Sequence, residues 1–318
     1  MFINKEYSIL ENRLLKIFRR KPHIYKIKSN SWNSVYQIIV DNNKYLLKVG
    51  IDELDGGGVG NEYRSLKLLH SRAINNVPSV KYFGRIKYHC LLLEDFIDNT
   101  GGKINGHRLG ELVGGIHSIK ERPKRPYGDF AAELVSCLLM RLENIREINS
   151  EFSYIPDDYI LKYIRTTLKK IQSILSKKEW ILPREMSFIN MDYNDSIISS
   201  GNKIFIVDWH LARFGDPAWD LTRVIYYYKF SKELFFEAYY SKYNTEVEYL
   251  LRRIDVYGVL NEIFNTLLYC EDNIFLLRYS LEPFLRERKN LSAATKLLKN
   301  DLIERINRLL CRTGLRQT

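Results

Sequence analysis

The spacing of apolar residues changes near residue 100, and that change limits the folds open to this chain. From Ile24 to Glu94 the apolar positions fall in short β-branched and aromatic runs: Tyr25–Ile27, Val35–Val40, Tyr45–Val49, Val80–Phe83 and Cys90–Glu94. Such runs predict strands. Asp41–Lys44 is turn chemistry, so the runs on either side of it are expected to pair as a hairpin. One helix is expected within this part, Asn61–Ser71, with Leu66 and Leu69 inward. A further helix over 5–20, with Ile9, Leu10, Leu14 and Ile17 on one face, precedes it. After Asn99-Thr100-Gly101-Gly102 the apolar residues recur three and four apart. They do so at Leu109, Leu112, Val113 and Ile116, again from Leu134 to Leu142, and again from Ile160 to Leu175. A short β-like stretch, Ile204–Val207, interrupts the helical texture, which resumes after Pro217. The expected class is α+β with two lobes. A β-rich N-lobe with one main helix would occupy 1–98, and a larger, mostly helical C-lobe 99–318.

Composition narrows the function. The 318 residues can bury a sizeable core, and 45% hydrophobic with 27% charged residues argues against disorder. The net charge of +11 favours anionic ligands such as nucleotides. Lys and Arg are spread, with the densest run at Lys16–Lys21, so a nucleic-acid partner is the weaker reading. Cys90, Cys137, Cys270 and Cys311 form no CxxC pair and suit free thiols in a reducing compartment. With no signal-like N-terminus and no apolar run near the length of a membrane helix, a cytoplasmic location without membrane contact is expected.

The chemistry-bearing residues cluster from Asn190 to Leu221. Asn190-Met191-Asp192 lies in a polar loop, Asp208 follows the apolar stretch Ile204–Val207, and Gly215-Asp216-Pro217-Ala218-Trp219-Asp220-Leu221 comes next. An acid after a buried strand suits a metal ligand, and a loop acid upstream suits a base that meets a substrate. These segments resemble the aminoglycoside phosphotransferase and choline kinase superfamily, which has a protein-kinase-like fold. The resemblance extends back to Lys48 at the end of the third strand, to Glu62, and to the segments Val77–Gly84, Leu91–Phe96 and Leu109–His117. It covers roughly residues 24–225.

It implies a phosphotransferase that uses ATP and Mg²⁺ and moves the γ-phosphate to a hydroxyl of a small molecule. Asp192 would be the catalytic base and Asp208 a metal ligand. Lys48 would contact the phosphates and pair with Glu62. Backbone groups near Glu94 and Phe96 would hold the adenine, and the turn Ser29-Asn30-Ser31 would cover the phosphates. Asp216 reads as a helix cap before Pro217.

The chain departs from the family pattern in three places. The family's metal-binding Asn stands five residues after the base, and here that position is Ile197, which cannot ligate a hard cation. Asn194 is the candidate replacement, with Asp195 as another. Asn190 stands where the family has His, and the phosphate turn lacks glycine. A catalytically impaired, kinase-like nucleotide-binding protein is therefore the alternative reading. Among the remaining residues, His117 is read as a packing histidine. His210, directly after Trp209, is not read as a ligand, and Tyr226-Tyr227-Tyr228 is read as helix packing.

Overall fold

The computed structural model describes residues 2–279 except 30–32, 52–57, 87–88, 122–128, 153–157, 176–185, 194 and 245–246. Helix α1 (Phe2–Phe18) precedes strands β1 (His23–Ser29), β2 (Asn33–Val40) and β3 (Asn43–Ile51). Helix α2 (Val59–Ser71) leads to β4 (Val80–Ile86) and β5 (His89–Asp95). Helix α3 (Gly106–His117), the short β6 (Lys120–Glu121), α4 (Asp129–Phe152) and α5 (Asp158–Leu175) follow. Then come β7 (Met186–Ile189), β8 (Ile197–Ser200), β9 (Lys203–Ile206) and β10 (Arg213–Gly215). The last described elements are α6 (Pro217–Tyr227), α7 (Lys232–Lys242) and α8 (Val247–Tyr279).

The first five strands form an antiparallel sheet in the order β1-β2-β3-β5-β4. Strand alternation gives it two different faces. On one, Leu47, Leu91 and Leu93 pack with Ile38, Val40 and the α1 residues Leu10 and Leu14. On the other, Lys48 stands opposite Leu92, and Leu46 opposite Glu94. Helix α2 contacts β3, β4 and β5. Ile9, expected inward, is exposed, because α1 meets the sheet along Leu10 and Leu14.

The β2–β3 turn is tighter than expected. Asp41 and Asn42 alone make it, both with positive φ, and Asn43 already pairs with Val40. Two positive-φ residues are what a two-residue hairpin needs, and Asn and Asp tolerate that conformation. The single β-like interruption expected after residue 100 is four short strands beyond β6. Lys203–Ile206 pairs antiparallel with Ile197–Ser200, and β10, β7 and β6 form a three-stranded sheet. These strands have two to four residues, too few for a periodic signal.

The chain divides into two compact units. The first comprises 1–121, 187–214 and 227–244, and residue 98 lies within it. Besides the sheet it contains α3 and α7, which pack tightly on each other. The second comprises 122–186, 215–226 and 245–318. Its described core is formed by α4, α5, α6 and α8, with Leu138, Leu142, Leu168, Trp219 and Leu260 buried. Within that unit Asp216 accepts from the Ala218 N–H at 3.0 Å, at the start of α6. It also pairs with Arg253 at 2.8 Å and accepts from the Tyr257 hydroxyl at 3.1 Å.

Candidate active site

Lys48 is the centre of a buried charge cluster in the first unit. Its place in β3 points it to the α2 face, where it is 5% exposed. Its ammonium donates to both oxygens of Glu62, at 2.7 and 2.8 Å, and to Asp208 Oδ1 at 3.2 Å. Glu94 Oε1 lies 3.8 Å away. Burial alone would lower the Lys48 pKa. The charges of Asp208, Glu62 and Glu94 outweigh it and hold the pKa well above its ordinary value.

Glu62 does more than pair. Its Oε1 also accepts from the Trp209 N–H at 3.0 Å, so α2 grips the segment after β9. Asn61 adds to the grip, donating to the carbonyls of His210 and Ala212 at 3.0 and 2.9 Å. The Trp209 indole donates to the Ile206 carbonyl at 2.9 Å and closes the turn that carries Asp208. Asp208 sits there with φ 60°, a left-handed conformation uncommon outside glycine. Its Oδ1 also meets His210 Nδ1 at 2.8 Å. Burial would raise the Asp208 pKa, but Lys48 and then His210 hold it far below the carboxylate range. Burial likewise would lower His210, while the bond to Asp208 and its charge raise it.

Glu94 is the anomaly of the cluster. Its side chain is 1% exposed, and neither carboxylate oxygen has a hydrogen-bond partner. Burial pushes its pKa up to about 8. Lys48 opposes that shift, and the charges of Glu62, Asp208 and Asp95 reinforce it.

Asp192 comes to the same segment through Asn190. The fully buried Asn190 donates to the Asp208 carbonyl at 3.3 Å and accepts from the Asp192 N–H at 3.1 Å. One amide thus ties the loop of the first acid to the turn of the second. Phe96 is half-buried under Lys44, whose ammonium lies 5.8 Å from the ring centroid and also pairs with Asp98 at 2.8 Å. Asn30, Ser31 and Asn194 lie outside the described residues, as does the side chain of Ser29. Ile197 is a buried strand residue opposite Ile206, and Asp195 is an exposed turn residue with φ 55°. His117 packs as expected, 2.9 Å from the Tyr239 hydroxyl and edge-on to the Tyr239 and Tyr243 rings.

Sequence reasoning missed Asn61, the side chain of Glu94 and Tyr228. Asn61 adjoins Glu62 at the start of its helix, which is the only local signal among the three.

No protein-family model and no curated protein sequence matches the chain. Solved structures do match. Spectinomycin phosphotransferase APH(9)-Ia, solved with ADP and spectinomycin, is 15% identical with a TM-score of 0.59, over 90% of this chain and 93% of that one. Choline kinase LicA from Streptococcus pneumoniae is 14% identical with a TM-score of 0.60, over 95% and 99%. A fructosamine-3-kinase homologue from Haemophilus somnus is 17% identical with a TM-score of 0.56, over 92% and 96%. The fold is that of the small-molecule kinases. At these identities the kinase-like fold is what the likeness establishes, and it is the fold of the superfamily that the motifs resemble. Among the described residues no helix is long and apolar enough to cross a membrane.

Proposed function

We propose that this protein is an ATP- and Mg²⁺-dependent phosphotransferase that moves the γ-phosphate to a hydroxyl of a small molecule. The observation that carries the reading is the buried Lys48–Glu62 pair in contact with Asp208, reached from Asp192 through Asn190. The residues fit the cofactor. Lys48 is a fixed cation for phosphate oxygens. Asp208 is a carboxylate with a 46% exposed side chain whose contacts with Lys48 and His210 both use Oδ1, which leaves Oδ2 for a hard cation. Mg²⁺ and ATP supply the transferable phosphoryl group and neutralise its charge. Glu62 keeps Lys48 charged and aimed. Asp192 orients the acceptor hydroxyl and takes its proton. Ser29, Asn30 and Ser31 cover the phosphates, the chain near Glu94 and Phe96 takes the base, and Asn194 is the candidate second metal ligand. In this reading residues 1–98 serve the nucleotide, residues 99–318 include the acceptor site, and the protein works in the cytoplasm.

The test is ADP formation from ATP and Mg²⁺ against a panel of amino alcohols, sugars and amino sugars. Asp192→Asn and Asp208→Ala should each lower transfer by about 10²–10⁴-fold, with Asp192→Asn still binding ADP. Ile197 favours a second reading, since a buried strand side chain stands where the second metal ligand is expected. An impaired, nucleotide-binding protein would bind ADP tightly and transfer phosphate to no acceptor in the panel.

A further inference from the structure

A tyrosine hydrogen-bonds to the stretch that follows Asp192. Tyr228 follows the last residue of α6 and belongs to the first unit, together with the loop. Its hydroxyl donates to the Tyr193 carbonyl at 2.8 Å and accepts from the Ile197 N–H at 2.9 Å. One oxygen therefore joins Tyr193 to Ile197. Two further bonds fix the same stretch. Ser196 Oγ donates to the Asp192 carbonyl at 2.7 Å, and the Val207 N–H donates to the Ser196 carbonyl at 2.9 Å. Burial, with the charges of Asp195 and Asp192, pushes the Tyr228 pKa up to about 12 against the opposing backbone amides of Ile197 and Ser196, so the hydroxyl keeps its proton at working pH.

This is also the stretch where the kinase pattern loses its Asn. The Ile197 side chain offers no polar atom in place of that Asn, and its backbone N–H is taken by Tyr228. We infer that Tyr228 is a positioning residue for Asp192: its hydroxyl ties the Tyr193 carbonyl to the Ile197 N–H and thereby fixes where the Asp192 carboxylate stands. The inference rests on the phosphotransferase reading above and adds a residue whose neighbours in sequence suggested only helix packing.

Tyr228→Phe removes one oxygen and keeps the ring. Hydrogen exchange of the full-length protein should show the Ile197 amide protected in the parent and exchanging faster in the variant. In turnover, kcat should fall roughly 10–100-fold, while KM for ATP and the Kd for ADP stay within about twofold, because Lys48 and Glu62 are untouched. In an Asp192→Asn background, adding Tyr228→Phe should change the residual rate less than about twofold, since the group it positions is gone. Tyr226→Phe, at an exposed position, should leave all three measurements at the parent values.

An unprotected Ile197 amide in the parent would overturn the inference even if the variant failed to fold. So would a variant whose kcat is unchanged, one whose kcat and ADP affinity fall together, or one that loses as much rate without Asp192 as with it. A parent that transfers no phosphate would bring down the phosphotransferase reading and this inference together. An active parent with a neutral Tyr228→Phe would remove the inference alone.

Discussion

Lys48 is surrounded by more acid than one ammonium can balance: Glu62 and Asp208 in hydrogen-bond contact and Glu94 at 3.8 Å. Three carboxylates around one buried cation cannot all stay ionised cheaply, and Glu94, the one without a hydrogen bond, is the group that gives way. Its pKa of about 8 in the folded protein, against an ordinary value of 4.5, means that between these values the folded state holds a proton the unfolded chain has released. Stability of the nucleotide-free protein should therefore fall as pH rises from about 5 to 8. His210, raised above 6.5, acts in the same direction. Thermal denaturation across that range should show a falling unfolding temperature in the parent and a shallower fall in Glu94→Gln. A parent profile that stayed flat or rose would contradict the assignment. Lys48 and Glu62 could be picked out in the sequence because each lies in a recognisable element, Lys48 in the third strand and Glu62 in the first turn of the helix after it. The Glu94 side chain could not, since its approach to Lys48 depends on the register that sets Leu46 opposite Glu94, and no nearby residue encodes it.

Helix α3 shows the same division at the scale of an element. Leu109, Leu112, Val113 and Ile116 announce its period, and all but the half-buried Leu112 are buried. Its glycines look like a weakness in isolation, since glycine inside a helix costs about 0.5–1 kcal/mol relative to alanine. Their value lies in the partner helix. A Cβ at Gly106, Gly110 or Gly114 would come within 2.6, 2.2 or 2.8 Å of the carbonyl oxygen of Ser231, Phe235 or Tyr239. Three glycines four residues apart thus let α7 lie backbone to backbone on α3. Gly110→Ala should destabilise the protein by about 1–3 kcal/mol, because the clash is with main chain and no side chain can rotate away. Chemical denaturation reads this directly, and a midpoint at or above the parent value would refute it. Gly115→Ala, whose added Cβ meets only Ile74 Cδ1 at 3.6 Å, is the matched control and should be neutral or mildly stabilising.

Across the whole molecule, the residues proposed for nucleotide and metal come from distant stretches of sequence but from one compact unit. Lys48, Glu62, Glu94, Asn190, Asp192 and Asp208 all belong to the first, which takes in 187–214 and 227–244 as well as 1–121. Nucleotide binding should then be felt in that unit. With ADP and Mg²⁺ at about one hundred times Kd, linkage stabilises the folded protein by about 2.7 kcal/mol. Hydrogen exchange should slow over β3, α2 and the 204–212 segment. Lys48→Met should abolish the protection. Protection confined to α4 and α5 would place the ligand elsewhere and remove the proposed site.

The linear chain carried the class of the fold, the strands and helices with a clear period, and the order of Lys48, Glu62, Asp192 and Asp208. Those features are local: apolar spacing, turn residues and short motifs are written within a dozen or so positions. Folding in three dimensions decided which acid loses its charge, which glycines admit a neighbouring backbone, and which tyrosine ties the stretch after Asp192. Each of these depends on a distance between groups far apart along the chain. Desolvation, steric exclusion and hydrogen bonding act on such distances and leave no mark on the residues nearby in sequence.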